Sequence, residues 1–164
     1  MIRLRPEITP SSLVPKVRRL FDLSAAKIRS LEESWSPANG SPVCTVEGRY
    51  TSRGWTEWTQ GFQFGSAILQ FDATGEAPFL DMGRERTVTV MAPHVTHIGV
   101  HDHGFNNVST YGNLLRLMAE GRIEENAWER RFYELALKCS GAVQAARRAR
   151  HGGCPIRVTG RTIA

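Results

Sequence analysis

The sequence predicts an all-α fold, and three observations carry that prediction. Apolar residues recur at spacings of three and four over most of the 164 positions. Glycines close the periodic runs. The connections between runs alternate between short and long, the pattern of helical hairpins. About five helices result, in a single domain over residues 1–164.

The first helix is predicted from about Ser12 to Glu33, with Leu13, Val17, Leu20, Phe21, Ile28 and Leu31 on one face. Ser12 suits the N-cap, and Pro15 then falls in the first turn, where its missing N–H costs little. Residues 35–57 are rich in Ser, Pro and Gly and read as a long loop. The second helix fits Gln60 to Ala73, with Gly75 as its stop. A third begins near Ala77, but its end, Thr87-Val88-Thr89-Val90, is β-branched and prefers a strand locally. The fourth runs from about Gly104 to Glu120, with Phe105, Val108, Gly112, Leu115 and Ala119 as its stripe and Gly121 closing it. The fifth spans Asn126 to Arg150, with Trp128, Phe132, Leu135, Cys139, Val143 and Ala146 facing inward and Gly152, Gly153 and Pro155 ending it. Ile156 to Ala164 complete no element.

The net charge of +5 raises the question of nucleic acid. The basic residues cluster early (Arg3, Arg5, Lys16, Arg18, Arg19) and late (Arg130, Arg131, Lys138, Arg147, Arg148, Arg150), with no aromatic side chains interleaved. That distribution fits solvated helix faces, and no nucleic-acid partner is expected. Three cysteines, Cys44, Cys139 and Cys154, without a CxxC, fit a reduced, cytoplasmic protein. No signal peptide or membrane-spanning run is read.

Two segments concentrate chemistry. In His97-Ile98-Gly99-Val100-His101-Asp102-His103-Gly104-Phe105, three histidines surround one carboxylate at a predicted helix start. Asp102 reads either as an N-cap or as a group that gives and takes a proton. A metal site is not expected: the spacing matches no closed zinc pattern, and Gly99 weakens the helix that would align His97 with His101. The second segment, Trp55 to Gly65, is dense in aromatics, which usually means core. Trp58 precedes the helix rather than lying on its stripe, where an indole can stack on a sugar ring. Neither Cys44 nor Cys154 has the setting of a nucleophile.

These residues carry a resemblance. Trp58-Thr59-Gln60-Gly61-Phe62, then Gly65, then Asp72-Ala73-Thr74-Gly75-Glu76 resembles the W-x-x-G-F-x-x-G and T-G-D/E stretch of glycoside hydrolase family 88, the unsaturated glucuronyl hydrolases. His101-Asp102-His103-Gly104-Phe105 is similar to that family's H-D-x-G-F motif, and Tyr111-Gly112 and the last long helix follow in the family's order. The resemblance covers roughly Trp55 to Arg150. It implies a partial (α/α)6 barrel, the five helices forming two hairpins and part of a third. It implies hydration of the vinyl ether in 4,5-unsaturated uronyl oligosaccharides, without metal or organic cofactor. Asp102 is then one of two essential aspartates, and Trp58, His101 and Gly104 bind the substrate, with Trp58 lining the subsite for the unsaturated sugar.

The family's other aspartate lies on a later helix, and no aspartate follows Asp102 here. The resemblance therefore implies an N-terminal fragment, inactive alone, whose exposed helix faces would serve for oligomer contacts. Two other expectations stand beside it: a related unsaturated rhamnogalacturonyl hydrolase, and a small helical binding or interaction module.

Overall fold

The computed structural model describes residues 8–54, 58–151 and 154–157. It is mostly helical. Six α-helices are α1 (Pro10–Ser34), α2 (Thr59–Thr74), α3 (Ala77–Val90), α4 (Ala92–Thr96), α5 (Asn113–Ala119) and α6 (Ala127–Ala146). A π-helix, Gly104–Gly112, leads directly into α5. Four short strands, β1 (Ser41–Val46), β2 (Arg49–Arg53), β3 (Arg148–His151) and β4 (Cys154–Arg157), make two antiparallel hairpins.

α1 starts earlier than its apolar pattern does. Thr9 is the N-cap, and Thr9 and Ser12 exchange hydrogen bonds as a capping box: the Ser12 N–H donates to Thr9 Oγ1 at 3.2 Å and the Thr9 N–H to Ser12 Oγ at 3.0 Å. Pro15 therefore lies beyond the first turn, inside the helix. Ser12, expected as the cap, is instead the residue that answers it.

The expected loop over 35–57 holds a β-hairpin. Glu47 (φ 49°) and Gly48 (φ 75°) both take left-handed backbone, the geometry of a two-residue turn. Glutamate seldom occupies that first position, so the pair lacks the usual Asn-Gly or Asp-Gly signal. Trp35 ties the hairpin to α1, donating from Nε1 to the Gly40 carbonyl at 2.9 Å. Trp55 lies outside the described residues.

α2 and α3 form an antiparallel hairpin, turned at Gly75 (φ 76°) and packed where Ile68 lies against Gly83. The end of α3 is helical despite its β-branched run. Thr87 and Thr89 return their hydroxyls to the carbonyls of Gly83 and Glu85 at 2.6 and 2.8 Å, and Thr87 is fully buried. The π-helix and α5 form a second antiparallel hairpin with α6, turned near Gly121 (φ 66°).

The two hairpins meet through α2 and the π-helix–α5 rod, which run parallel. The contacts advance together along both: Gly61 with Asn106, Gly65 with Ser109, Asp72 with Arg116. The Asp72 carboxylate takes both Arg116 (2.6 Å) and Arg122 (3.1 Å), and Glu76 pairs with Arg29 at 2.6 Å. Those acids thus fasten helices to one another.

The core lies between the hairpins and includes Phe64, Ile68, Leu80, Met91, Tyr111, Leu114, Leu117 and Tyr133. Tyr111 is fully buried, and its hydroxyl has no hydrogen-bond partner among the described residues. Burial accordingly raises its pKa to about 12. Tyr111→Phe should be neutral or stabilising by up to about 1 kcal/mol in urea unfolding, because it removes a desolvated polar group and little volume. A loss above about 1 kcal/mol would show that the hydroxyl is bonded in solution.

Two expected stripes are corrected. In the π-helix, Phe105 and Val108 are 48% and 58% exposed, while Asn106, Asn107, Thr110 and Tyr111 face inward. In α6, Trp128 and Leu135 are exposed, and Tyr133, Ala136 and Ser140 are buried. α6 also ends at Ala146, and β3 takes the place of its expected last turn by pairing Arg148–His151 with Cys154–Arg157. Gly152 and Gly153 lie outside the described residues. No described helix is long and apolar enough to cross a membrane.

Candidate functional site

Two glycines let α2 and the π-helix approach unusually closely. A Cβ on Gly61 would overlap the Asn106 Cα and the Phe105 carbonyl oxygen, and one on Gly65 would lie 2.6 Å from the Ser109 oxygen. The Gly61 N–H, in the first turn of α2, donates to Asn106 Oδ1 at 3.0 Å. This contact sets the starts of both helices side by side.

Three aromatic rings stand over that junction. Trp58, Phe62 and Phe105 have ring centroids 5.5, 5.8 and 5.4 Å apart pairwise, and all three are exposed. Mutual contact of this kind stabilises rings by about 0.5–1.5 kcal/mol per pair beyond the area they bury. The sequence signals Trp58 as lying off the helix stripe. It does not signal Phe105, whose spacing reads as core.

Asp102 lies three residues before Phe105. Its side chain is only 12% exposed, against 54% for His101, whose Nε2 sits 3.2 Å from Asp102 Oδ1. The carboxylate does not cap the helix: the cap position falls at His103, without a side-chain capping bond, and Asp102 uses its backbone carbonyl to receive the Asn106 N–H. The N-cap alternative is therefore corrected. Gly104 opens the π-helix with empty space where a Cβ would be, so no contact in this chain requires glycine there.

The histidines diverge. His97 follows the end of α4 with extended backbone and folds its ring over Gly99, so it shares no helix face with His101. Among the described residues no group of three metal-ligating side chains converges. His103 turns inward. Its Nε2 lies 2.7 Å from the His97 carbonyl, so that nitrogen carries the proton. Its Nδ1, 2.8 Å from Ser140 Oγ, then accepts the hydroxyl proton. Ser140 Oγ in turn accepts from Asn107 Nδ2 (3.0 Å), which also donates to the His94 carbonyl at 3.2 Å. His94 donates from Nε2 to Gln60 Oε1 at 2.6 Å.

This buried chain links α2, α4, the π-helix and α6. Burial, reinforced by His97 and His103, pushes the His94 pKa down to about 4, and burial lowers that of His97 as well. Sequence reasoning missed Asn106, Asn107, Ser140 and His94. Polar residues inside a helix carry no hydrophobic signal, although the adjacent Asn106-Asn107 pair is unusual for a solvent-facing stripe.

The arrangement as a whole is a mostly helical, two-hairpin scaffold with an exposed aromatic surface beside a part-buried carboxylate. No family model matches the chain, and no curated protein or solved structure is significantly similar to it.

Proposed function

We propose that this chain supplies half of a saccharide-processing site of the unsaturated glucuronyl hydrolase type. The observation that carries this reading is the triad of exposed rings at adjoining, parallel helix starts, with the Asp102 carboxylate three residues from Phe105. Aromatic faces stack on the C–H face of a sugar, and a carboxyl group beside them is the kind of group that moves a proton in vinyl-ether hydration. His101 is placed to hold that carboxylate from the solvent side.

The finer architecture belongs to the same proposal. Alternate helices run parallel, as in an (α/α)6 ring. Apolar faces on α1 (Leu13, Val17, Leu20) and α6 (Trp128, Leu135) are exposed, as they would be where further hairpins pack. Glycoside chemistry normally uses two carboxylates. The second would come from those further helices, or from another copy of the chain.

The test uses an unsaturated uronyl disaccharide. Binding should quench tryptophan fluorescence, and Trp58→Ala should weaken it at least tenfold. The vinyl-ether absorbance should persist with the chain alone. Turnover by the isolated chain that is lost in Asp102→Asn would keep the chemistry and overturn the shared site. Absence of binding at millimolar disaccharide would overturn the reading in favour of an interaction module.

A further inference from the structure

A recess lies at the start of α2, on the side that Gln60 presents. It is an open cleft of about 700 Å³ between the β1–β2 hairpin and the α3–α4 corner. That volume falls in the range of small-molecule sites. Its chemistry is specific in three respects.

The floor is polar and buried. Gln60 and His94 are 2% and 1% exposed, and the hydrogen bond between them uses Gln60 Oε1. The Gln60 amide N–H2 donates to no described residue and is not sealed from solvent, so it is a donor open to the cleft. His94 offers no charge, since its burial favours the neutral ring. The rim carries one cation, Arg53, which has no ion-pair partner among the described residues, and Asn39 stands on the same rim. No acidic side chain is among the described residues of the lining. The wall is apolar, formed by Val90 and Pro93.

One cation, an unused neutral donor and an apolar wall ask for a monoanion with hydroxyls and a C–H face. We propose that this cleft binds a sugar acid, its carboxylate on Arg53, a hydroxyl on the Gln60 amide, and its ring against Val90 and Pro93. The choice of ligand rests on the saccharide reading above; the site does not. None of Trp58, Phe62 and Phe105 is in its lining, so it takes a different sugar unit from the one at Trp58.

The probe is D-glucuronate, titrated into the full chain by calorimetry and by NMR of the Gln60 side-chain amide. Glucuronate should shift that amide, and glucose should bind at least tenfold more weakly. Arg53→Gln, an exposed change that leaves the core untouched, should weaken glucuronate at least tenfold with an unchanged melting temperature. Gln60→Glu should also weaken it by placing a second anion at the floor. Equal affinity for glucose, or no loss in Arg53→Gln, would overturn the cleft assignment. Loss of glucuronate binding in Trp58→Ala but not Arg53→Gln would also overturn it, while sparing the proposed function. Glucuronate held by Arg53 in a chain that binds no unsaturated disaccharide would sink the proposed function and leave the cleft standing.

Discussion

Gly61→Ala should destabilise the chain by about 3 kcal/mol or more. The added Cβ would meet backbone, the Asn106 Cα and the Phe105 carbonyl, rather than the end of a side chain that could swing away. Relief requires α2 and the π-helix to separate. That would also cost the buried hydrogen bond from the Gly61 N–H to Asn106. Urea unfolding checks it, with Gly104→Ala as the control. Gly104 has open space at its Cβ position, and alanine there should be neutral or stabilising by about 0.5 kcal/mol. Equal effects of the two substitutions would mean that the close approach of the helices is not what Gly61 provides.

Acidification should weaken the fold through His94. Its pKa is 6.5 when unfolded and about 4 in the folded chain, so the unfolded state binds more protons between those values. Stability is fully present above pH 6.5 and declines as the pH falls towards 4. The expected loss from this residue is about 2 kcal/mol between pH 6.5 and 4.5, a window above most carboxylate titration. His97, also held below its ordinary value, acts in the same direction. His94→Gln keeps a donor towards Gln60 and cannot take up the proton. Its denaturation midpoint should be flatter across the window than that of the parent chain. Parallel slopes for the two proteins would show that His94 titrates normally in the folded state.

Much of the helical framework was legible in the sequence. Gly75 and Gly121 marked the hairpin turns because their left-handed backbone is nearly free only for glycine. The extent of α2 followed from its apolar spacing and its stop. The hairpin at 41–53 was hidden because its turn places Glu47, a poor left-handed residue, beside Gly48. The inward faces of the π-helix and α6 were hidden for a different reason. Periodicity ranks Phe105, Val108 and Trp128 above Asn106, Asn107 and Ser140, yet the buried positions go to the polar residues because each finds a partner.

The candidate site was legible in part for the same reason. Trp58 and Asp102 stood out by residue type and by place, and the structure sets Trp58 5.8 Å from Phe105, three residues past Asp102. The buried polar chain depends on partners more than thirty residues apart, such as His94 with Gln60 and His103 with Ser140. No local pattern contains such a pairing.

The π-helix makes the number of residues between Asp102 and the core a constraint in its own right. A π-turn holds more residues than an α-turn, so Gly104–Gly112 accommodates an α-helix plus an insertion. Deleting one residue there would let the rod close as a regular α-helix. Because the wide turns absorb the extra residue, the helix on either side would keep its facing, and the change would fall on the stretch itself. Leu114, Leu117 and Met118 would stay in the core, while Asn106, Asn107, Thr110 and Tyr111 would lose the spacing that turns all four inward. Substitutions in this stretch act on one contact at a time, whereas a change of length would act on all of its inward side chains at once.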